Sequence, residues 1–183
     1  LAEIGQQMPV IVVQGQAARR YILIDGYKRV RCLLRLREDT IRATPWQLAE
    51  ADALILVQLL RRSEGDSPLE QGWLLLELQG RFGLSQNELA RRFAVSSSWV
   101  SRRLALVKQL PEFVHREVSQ GRIGAHAAQK YLAPLARANR TDAEALCKAI
   151  APLKLPSRQV GTLYAGYAHA DDQGRALIVN QPE

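Results

Sequence analysis

Cysteine is nearly absent from this 183-residue chain: Cys32 and Cys147 stand far apart and no CxxC occurs. Two lone thiols build no disulfide framework, and without paired Cys or His ligands no zinc site is indicated; a reducing, cytoplasmic compartment fits. Long apolar runs are missing too. The longest, such as Ala53 to Leu60, fall short of the roughly 20 residues that span a bilayer, and no secretory leader pattern is present. The sequence contains no internal repeat, no low-complexity tract and no acidic pair placed to hold a catalytic metal, so no catalytic residue and no metal ligand is assigned. Acidic charge is also scarce, with 18 Asp and Glu against 25 Lys and Arg.

That imbalance is regional. Arg81 to Tyr131 carries nine Lys and Arg against Glu88, Glu112 and Glu117, a net +6, whereas the whole chain is +7. Arg19 to Arg42 holds eight cations against three acids, while Ala43 to Gly80 is net −4. Clustered cations facing a polyanion gain free energy by releasing its condensed counterions, so the blocks point to nucleic acid. A hydrophobic content of 47% is ample for a packed core in one or two domains. The first residue is Leu1 and not Met, from which upstream sequence is expected.

The most informative stretch is Leu84 to Val107, LSQNELARRFAVSSSWVSRRLALV. Ser85 and Glu88 have capping-box spacing, with Leu84 and Leu89 as a hydrophobic staple. Leu89, Ala90 and Phe93 share one helical face, and Ala90 is small where a second helix would cross. Ser96 offers the next N-cap, after which Val100, Leu104 and Val107 form an apolar stripe. Opposite it lie Ser97, Ser98, Ser101 and Arg102, side chains short or basic enough to approach base edges in a major groove, with Arg103 beside them. Gln86, Arg91, Arg92 and Lys108 are the candidate phosphate contacts. The spacing predicts a helix-turn-helix that reads DNA; the alternative is a helical hairpin with a solvated basic face.

Upstream, apolar runs at Pro9 to Val13 and Tyr21 to Ile24, separated by a turn region at Gly15 to Arg20, predict two strands. Asp25-Gly26 leads into a basic helix from Tyr27, where Gly26, Lys28 and Arg29 can offer backbone N–H groups and charge to an anion; the alternative is a glycine turn before a solvated helix. A short strand at Thr40 to Thr44 and a helix from Leu48 to Leu60 close this unit, and Cys32 is read as a small core residue beside Leu33 and Leu36. Ser63 to Pro68 is the best linker. Helices are predicted beyond it at Pro68 to Phe82, in the two segments above, and at Pro111 to Ser119, Gly124 to Leu132, Thr141 to Ile150, Pro156 to Tyr167 and Asp171 to Val179. The expected domains are 1–64, 65–135 and a helical extension, 136–183.

This order of features resembles the ParB/KorB partition proteins over Leu1 to Leu135. The resemblance rests on Pro9-Val10-Ile11-Val12, Leu23-Ile24-Asp25-Gly26-Tyr27-Lys28-Arg29, Arg61-Arg62, Ser67-Pro68-Leu69-Glu70, Gly83 to Ala90, Ser98-Trp99-Val100-Ser101, Leu110-Pro111-Glu112 and Gly121 to Ala127. It implies an α+β N-terminal domain, also similar to sulfiredoxin, followed by an all-α helix-turn-helix domain, predominantly helical overall. The reactive cysteine of sulfiredoxin would fall at Tyr27, so that chemistry is not carried over. His126 matches a family position at a helix start, where it contacts a phosphate or simply packs.

The resemblance further implies sequence-specific binding of a homodimer to a palindromic duplex site, in plasmid or chromosome partition, as a CTP-gated clamp. A ParA-type ATPase would be met through regions outside this chain, and no membrane is involved. CTP with Mg2+ would be held by Gly26, Tyr27, Lys28, Arg29, Arg61 and Arg62. Here the residues depart from the pattern: Tyr27-Lys28-Arg29 replaces an acid or polar residue before two arginines. Counting back from Arg62 in Glu-Asn-x-x-Arg places Gln58 where the acid should stand, and an amide cannot supply the charge that a hard Mg2+ prefers. Two other functions follow from the same residues: a transcriptional regulator of a plasmid or mobile element without nucleotide, or a slow CTPase.

Overall fold

The computed structural model describes residues 5–17, 19–61 and 67–182, which form two units, Leu1–Gly65 and Asp66–Glu183. In the first, β1 (Val10–Gln14) is central, β2 (Tyr21–Asp25) pairs with it antiparallel, and β3 (Ala43–Trp46) pairs with it parallel. Helix α1 (Tyr27–Arg35) follows β2, and α2 (Glu50–Leu60) follows β3. Val13, Ile24, Ala53 and Val57 form the core between sheet and α2, with Trp46 packed against it. That packing explains why β3 lies later than the expected Thr40 to Thr44: the register sets Trp46 opposite buried Val13 and Pro45 opposite Val12. Proline is tolerated because β3 is an edge strand. Cys32 is half-buried and Leu36 exposed, so the expected core position of this thiol is not met.

The second unit is entirely helical among its described residues. Helix α3 (Pro68–Phe82) begins at a full capping box, in which Ser67 Oγ accepts from the Glu70 amide and Glu70 Oε2 from the Ser67 amide at 2.9 Å. It is followed by α4 (Gln86–Arg92), α5 (Ser97–Gln109) and α6 (Glu112–Ser119). The helix expected at Gly124 to Leu132 instead runs on as α7 (Ala125–Ala127), a π-helical turn (Ala128–Leu132) and α8 (Ala133–Ala138). The wider turn accommodates Pro134, and burial of Ala133, Leu135 and Ala136 holds the continuation against the core. Helices α9 (Arg140–Ile150), α10 (Ser157–His169) and α11 (Asp172–Asn180) complete the unit. Segment 136–183 shares one core with the rest: Leu146, Cys147, Val160 and Val179 are buried together with Leu69, Leu106 and Leu132. Among the described residues no helix is long and apolar enough to cross a membrane.

Candidate nucleic-acid interface

Ser85 starts α4 by accepting the Glu88 amide at 3.2 Å. The Glu88 carboxylate is turned to Arg92 at 3.0 Å, so the expected capping box is present in its serine half. The helix stops in a Schellman arrangement: Ala94 donates to Arg91 O and Val95 to Ala90 O, with Ala94 in the left-handed region at φ 49°. This reverses the chain within two residues and delivers Ser96 as the cap of α5, its Oγ accepting the Trp99 amide at 3.1 Å.

Leu89 and Ala90 of α4, Phe93 at its C-cap, and Val100, Leu104 and Val107 of α5 are buried, as their spacing predicts. Helix α5 is also clamped on α3, and the two helices approach closely at Gly72. A Cβ there would sit 2.6 Å from Arg103 O and 2.9 Å from Val107 Cγ1. Between two helices the missing side chain sets the crossing distance, and sequence reasoning missed it.

The opposite face of α5 is open. Ser97, Ser98, Ser101 and Arg102 are exposed there, next to exposed Ser96 at the helix start, where the free amides of the first turn and the helix dipole favour an anion. A helix about 10 to 12 Å in diameter matches a groove about 12 Å wide, and 13 residues give it about 20 Å of length. Gln86 and Arg91 of α4 are exposed, and His126 is exposed at the start of α7. Arg92 is half-buried in its pair with Glu88. Lys108 reaches back to Gln79 Oε1 at 3.0 Å. Arg103 differs from its neighbours: it donates from Nε to Gln71 Oε1 at 2.8 Å and from Nη1 to Gln129 Oε1 at 2.6 Å, with its guanidinium 4.9 Å from the Trp99 ring centroid. Sequence reasoning did not find Gln71, Gln79 and Gln129. Two glutamines eight positions apart on one helical face are a weak signal.

Arg122, inside the Gly121 to Ala127 stretch, is committed elsewhere. It forks onto Glu117, donating at 2.7 Å from Nη2 to Oε1 and also from Nε to Oε2. Glu117 is the buried charged residue of the described chain, and Arg122 holds its carboxyl below the usual range.

In the first unit, the residues expected to grip an anion gather at the start of α1. Arg29 donates to Asp25 Oδ2 at 2.9 Å and to the carbonyls of Met8 and Pro9, and Arg61 pairs with Asp25 Oδ1. Gly26 is left-handed at φ 101°, and the place of its absent Cβ is filled by Val10 Cγ1, 2.5 Å away. The glycine therefore admits β1 rather than leaving an open approach. Tyr27 bonds Leu23 O, Lys28 is exposed, and Arg62 lies outside the described residues, as does most of the linker. Asp25 holds two arginines 32 positions apart in the chain, a role that neither its charge nor its place in the Asp25-Gly26 turn signals in the sequence.

The family model for the ParB HTH domain matches residues 64–168, more than half of the chain. The chain belongs to the ParB HTH domain family. This ParB-type chain is similar to the C-terminally truncated chromosome-partitioning protein ParB from Caulobacter crescentus, in the crystal structure of its complex with the centromeric parS site. The identity is 23%, over 86% of this chain and 82% of that one, with a TM-score of 0.53, a likeness of fold. The crystal structure of the Caulobacter crescentus protein with CTP-gamma-S aligns at 23% identity over 74% of this chain and 79% of that one, with a TM-score of 0.36. No curated protein matches the chain.

Proposed function

We propose that this ParB-type chain binds duplex DNA sequence-specifically, with α5 in the major groove, and serves chromosome or plasmid partition as a dimer on a palindromic site. The observation that carries the reading is the exposed row Ser97, Ser98, Ser101 and Arg102 on a helix capped, clamped and buried on its other face. Exposed Arg91 and Gln86 at the flank supply phosphate contacts that fix register without reading sequence. Selection of bound duplexes from a random pool should return one inverted repeat, whose half-site spacing gives the dimer geometry. On that site Arg102→Ala should lose about 1 to 3 kcal/mol more than on random DNA, and equal losses would remove the base-reading role. A regulator of transcription would use the same helix. Sites confined to promoters, with none near a replication origin, would favour that role.

A second reading concerns the first unit, and the gathering of Arg29 and Arg61 at the start of α1 favours it. Lys28, Arg29 and Arg61 fit the phosphates of a nucleotide such as CTP, which would replace Asp25 as their counter-charge. The residues do not fit a protein-held Mg2+: Gln58 offers an amide, and the described residues include no cluster of three His, Cys, Asp or Glu able to hold a metal. Calorimetric titration with the four nucleoside triphosphates, with and without DNA, tests this. Heat with none of them would leave the unit as an interaction module, and heat with CTP alone would support clamp behaviour.

A further inference from the structure

Many of the described cations of the helical unit are held in one of two ways. Pairs with carboxylates join residues three to five apart: Glu77–Arg81, Glu88–Arg92, Glu117–Arg122, Glu144–Lys148 and Asp172–Arg175. Hydrogen bonds from cations to side chains of separate helices use glutamine instead, while Arg175 of α11 reaches the backbone carbonyl of Tyr167 in α10. Arg103 of α5 bonds Gln71 of α3 and Gln129 of the π turn, Lys108 of α5 bonds Gln79 of α3, and Arg137 of α8 bonds Gln109 of α5.

The difference has a physical consequence. A glutamine oxygen accepts a hydrogen bond through a dipole, so it fixes a long side chain while leaving its full positive charge; a carboxylate in the same place would cancel that charge. Free Lys and Arg side chains carry up to about 2 kcal/mol of rotamer entropy that a phosphate contact must remove, and a tether removes it beforehand. The electrostatics of Arg103 agree with its hydrogen bonds. Burial and neighbouring Arg102 lower its pKa, the direction for a cation with no anion compensating it.

We propose that Gln71 and Gln79 of α3 are positioning residues that hold Arg103 and Lys108 as pre-ordered, un-neutralised cations for the DNA backbone beside the recognition helix. The inference rests on the DNA-binding reading above and adds how its electrostatic part is built. Glutamate at position 79 would keep a hydrogen-bond acceptor for Lys108 and remove the net charge. Alanine would remove the acceptor and keep the charge.

The test is fluorescence anisotropy of the whole chain on a random-sequence duplex over a salt series, with a thermal melt of every variant. Each lost phosphate contact lowers the slope of log K against log salt by about 0.9, which is roughly eightfold in affinity at 0.1 M salt. Gln79→Glu should show that loss with an unchanged or higher melting temperature, matching Lys108→Ala, whereas Gln79→Ala should keep the wild-type slope but bind more weakly by a few-fold at every salt concentration, because Lys108 is then ordered only on binding. A wild-type slope in Gln79→Glu overturns the inference. So does an equal drop in slope in Gln79→Ala, which would make the missing amide and not the added charge responsible. Gln71→Glu, opposite Arg103, repeats the comparison should the first variant fail to fold. Wild-type protein without salt-dependent duplex binding would overturn the DNA-binding reading itself, a result distinct from the others.

Discussion

Replacing Gly72 by alanine sets helix propensity against helix packing at the contact that seats the recognition helix. Position 72 is the fifth residue of α3, well inside the helix, where alanine is worth about 0.8 to 1.0 kcal/mol more than glycine. The new methyl would stand 2.6 Å from the Arg103 carbonyl oxygen and 2.9 Å from Val107 Cγ1. The oxygen is backbone, so no rotamer change clears it, and α3 and α5 must separate by several tenths of an ångström. Overfilling a packed contact costs about 1 to 3 kcal/mol, and more where backbone must shift. The net expectation is destabilisation by about 0 to 2 kcal/mol from the difference between those two terms, toward the upper end because backbone must move. Urea unfolding followed by far-ultraviolet circular dichroism measures it, as a lower midpoint at unchanged slope. Because Arg103 follows Arg102, the same shift should weaken cognate DNA binding in protein that is still folded. A Gly72→Ala protein more stable than the wild type would refute the reasoning, since propensity would then have outweighed a contact described here as closed.

Three further outcomes follow from other positions. Ala94 occupies a left-handed position that costs an alanine about 1 to 2 kcal/mol, against the 0.5 to 1 kcal/mol of backbone entropy that a glycine brings, so Ala94→Gly should raise stability by about 0.5 to 1 kcal/mol. A lower urea midpoint would contradict it. The Glu117 carboxyl is held below its ordinary value in the folded chain, so its contribution is complete above about pH 4.3 and is lost as pH falls through the folded value. The stability gap between wild type and Glu117→Gln should therefore narrow between pH 5 and pH 3, and a constant gap across that range would rule out the linkage. Burial pushes the Cys147 thiol up to about 12, so at pH 8 a thiol reagent should modify half-buried Cys32 first and Cys147 only on unfolding. Simultaneous labelling of both in the native protein would count against it.

Much of the helical unit can be read locally. Pro68 to Phe82 is found as predicted because Ser67, Pro68 and Glu70 mark its start and Gly83 its end within a few residues. The start of α5 is legible for the same reason, since Ser96 caps a helix whose apolar stripe repeats at Val100, Leu104 and Val107. The misses have a common cause. The third strand was placed too early because its register comes from Val13, more than 30 positions away, and the helix at Ala125 was ended too soon because Ala133, Leu135 and Ala136 are held by distant partners. In the first unit, the space at Gly26 belongs to Val10, a fact that no local pattern carries.

The amino-acid order alone therefore determined the serine caps, the split of α5 into an apolar and a polar face, and the regional surplus of positive charge, because each depends on neighbours within about two helical turns. Only the tertiary structure decided which cations stay available and which are engaged. Arg102 stands in the open, Arg61 is drawn to Asp25 from across the first unit, and Arg103 and Lys108 are held by glutamines of α3. In sequence these arginines and lysines are equivalent charges; what distinguishes them is the partner that a distant segment brings within 3 Å.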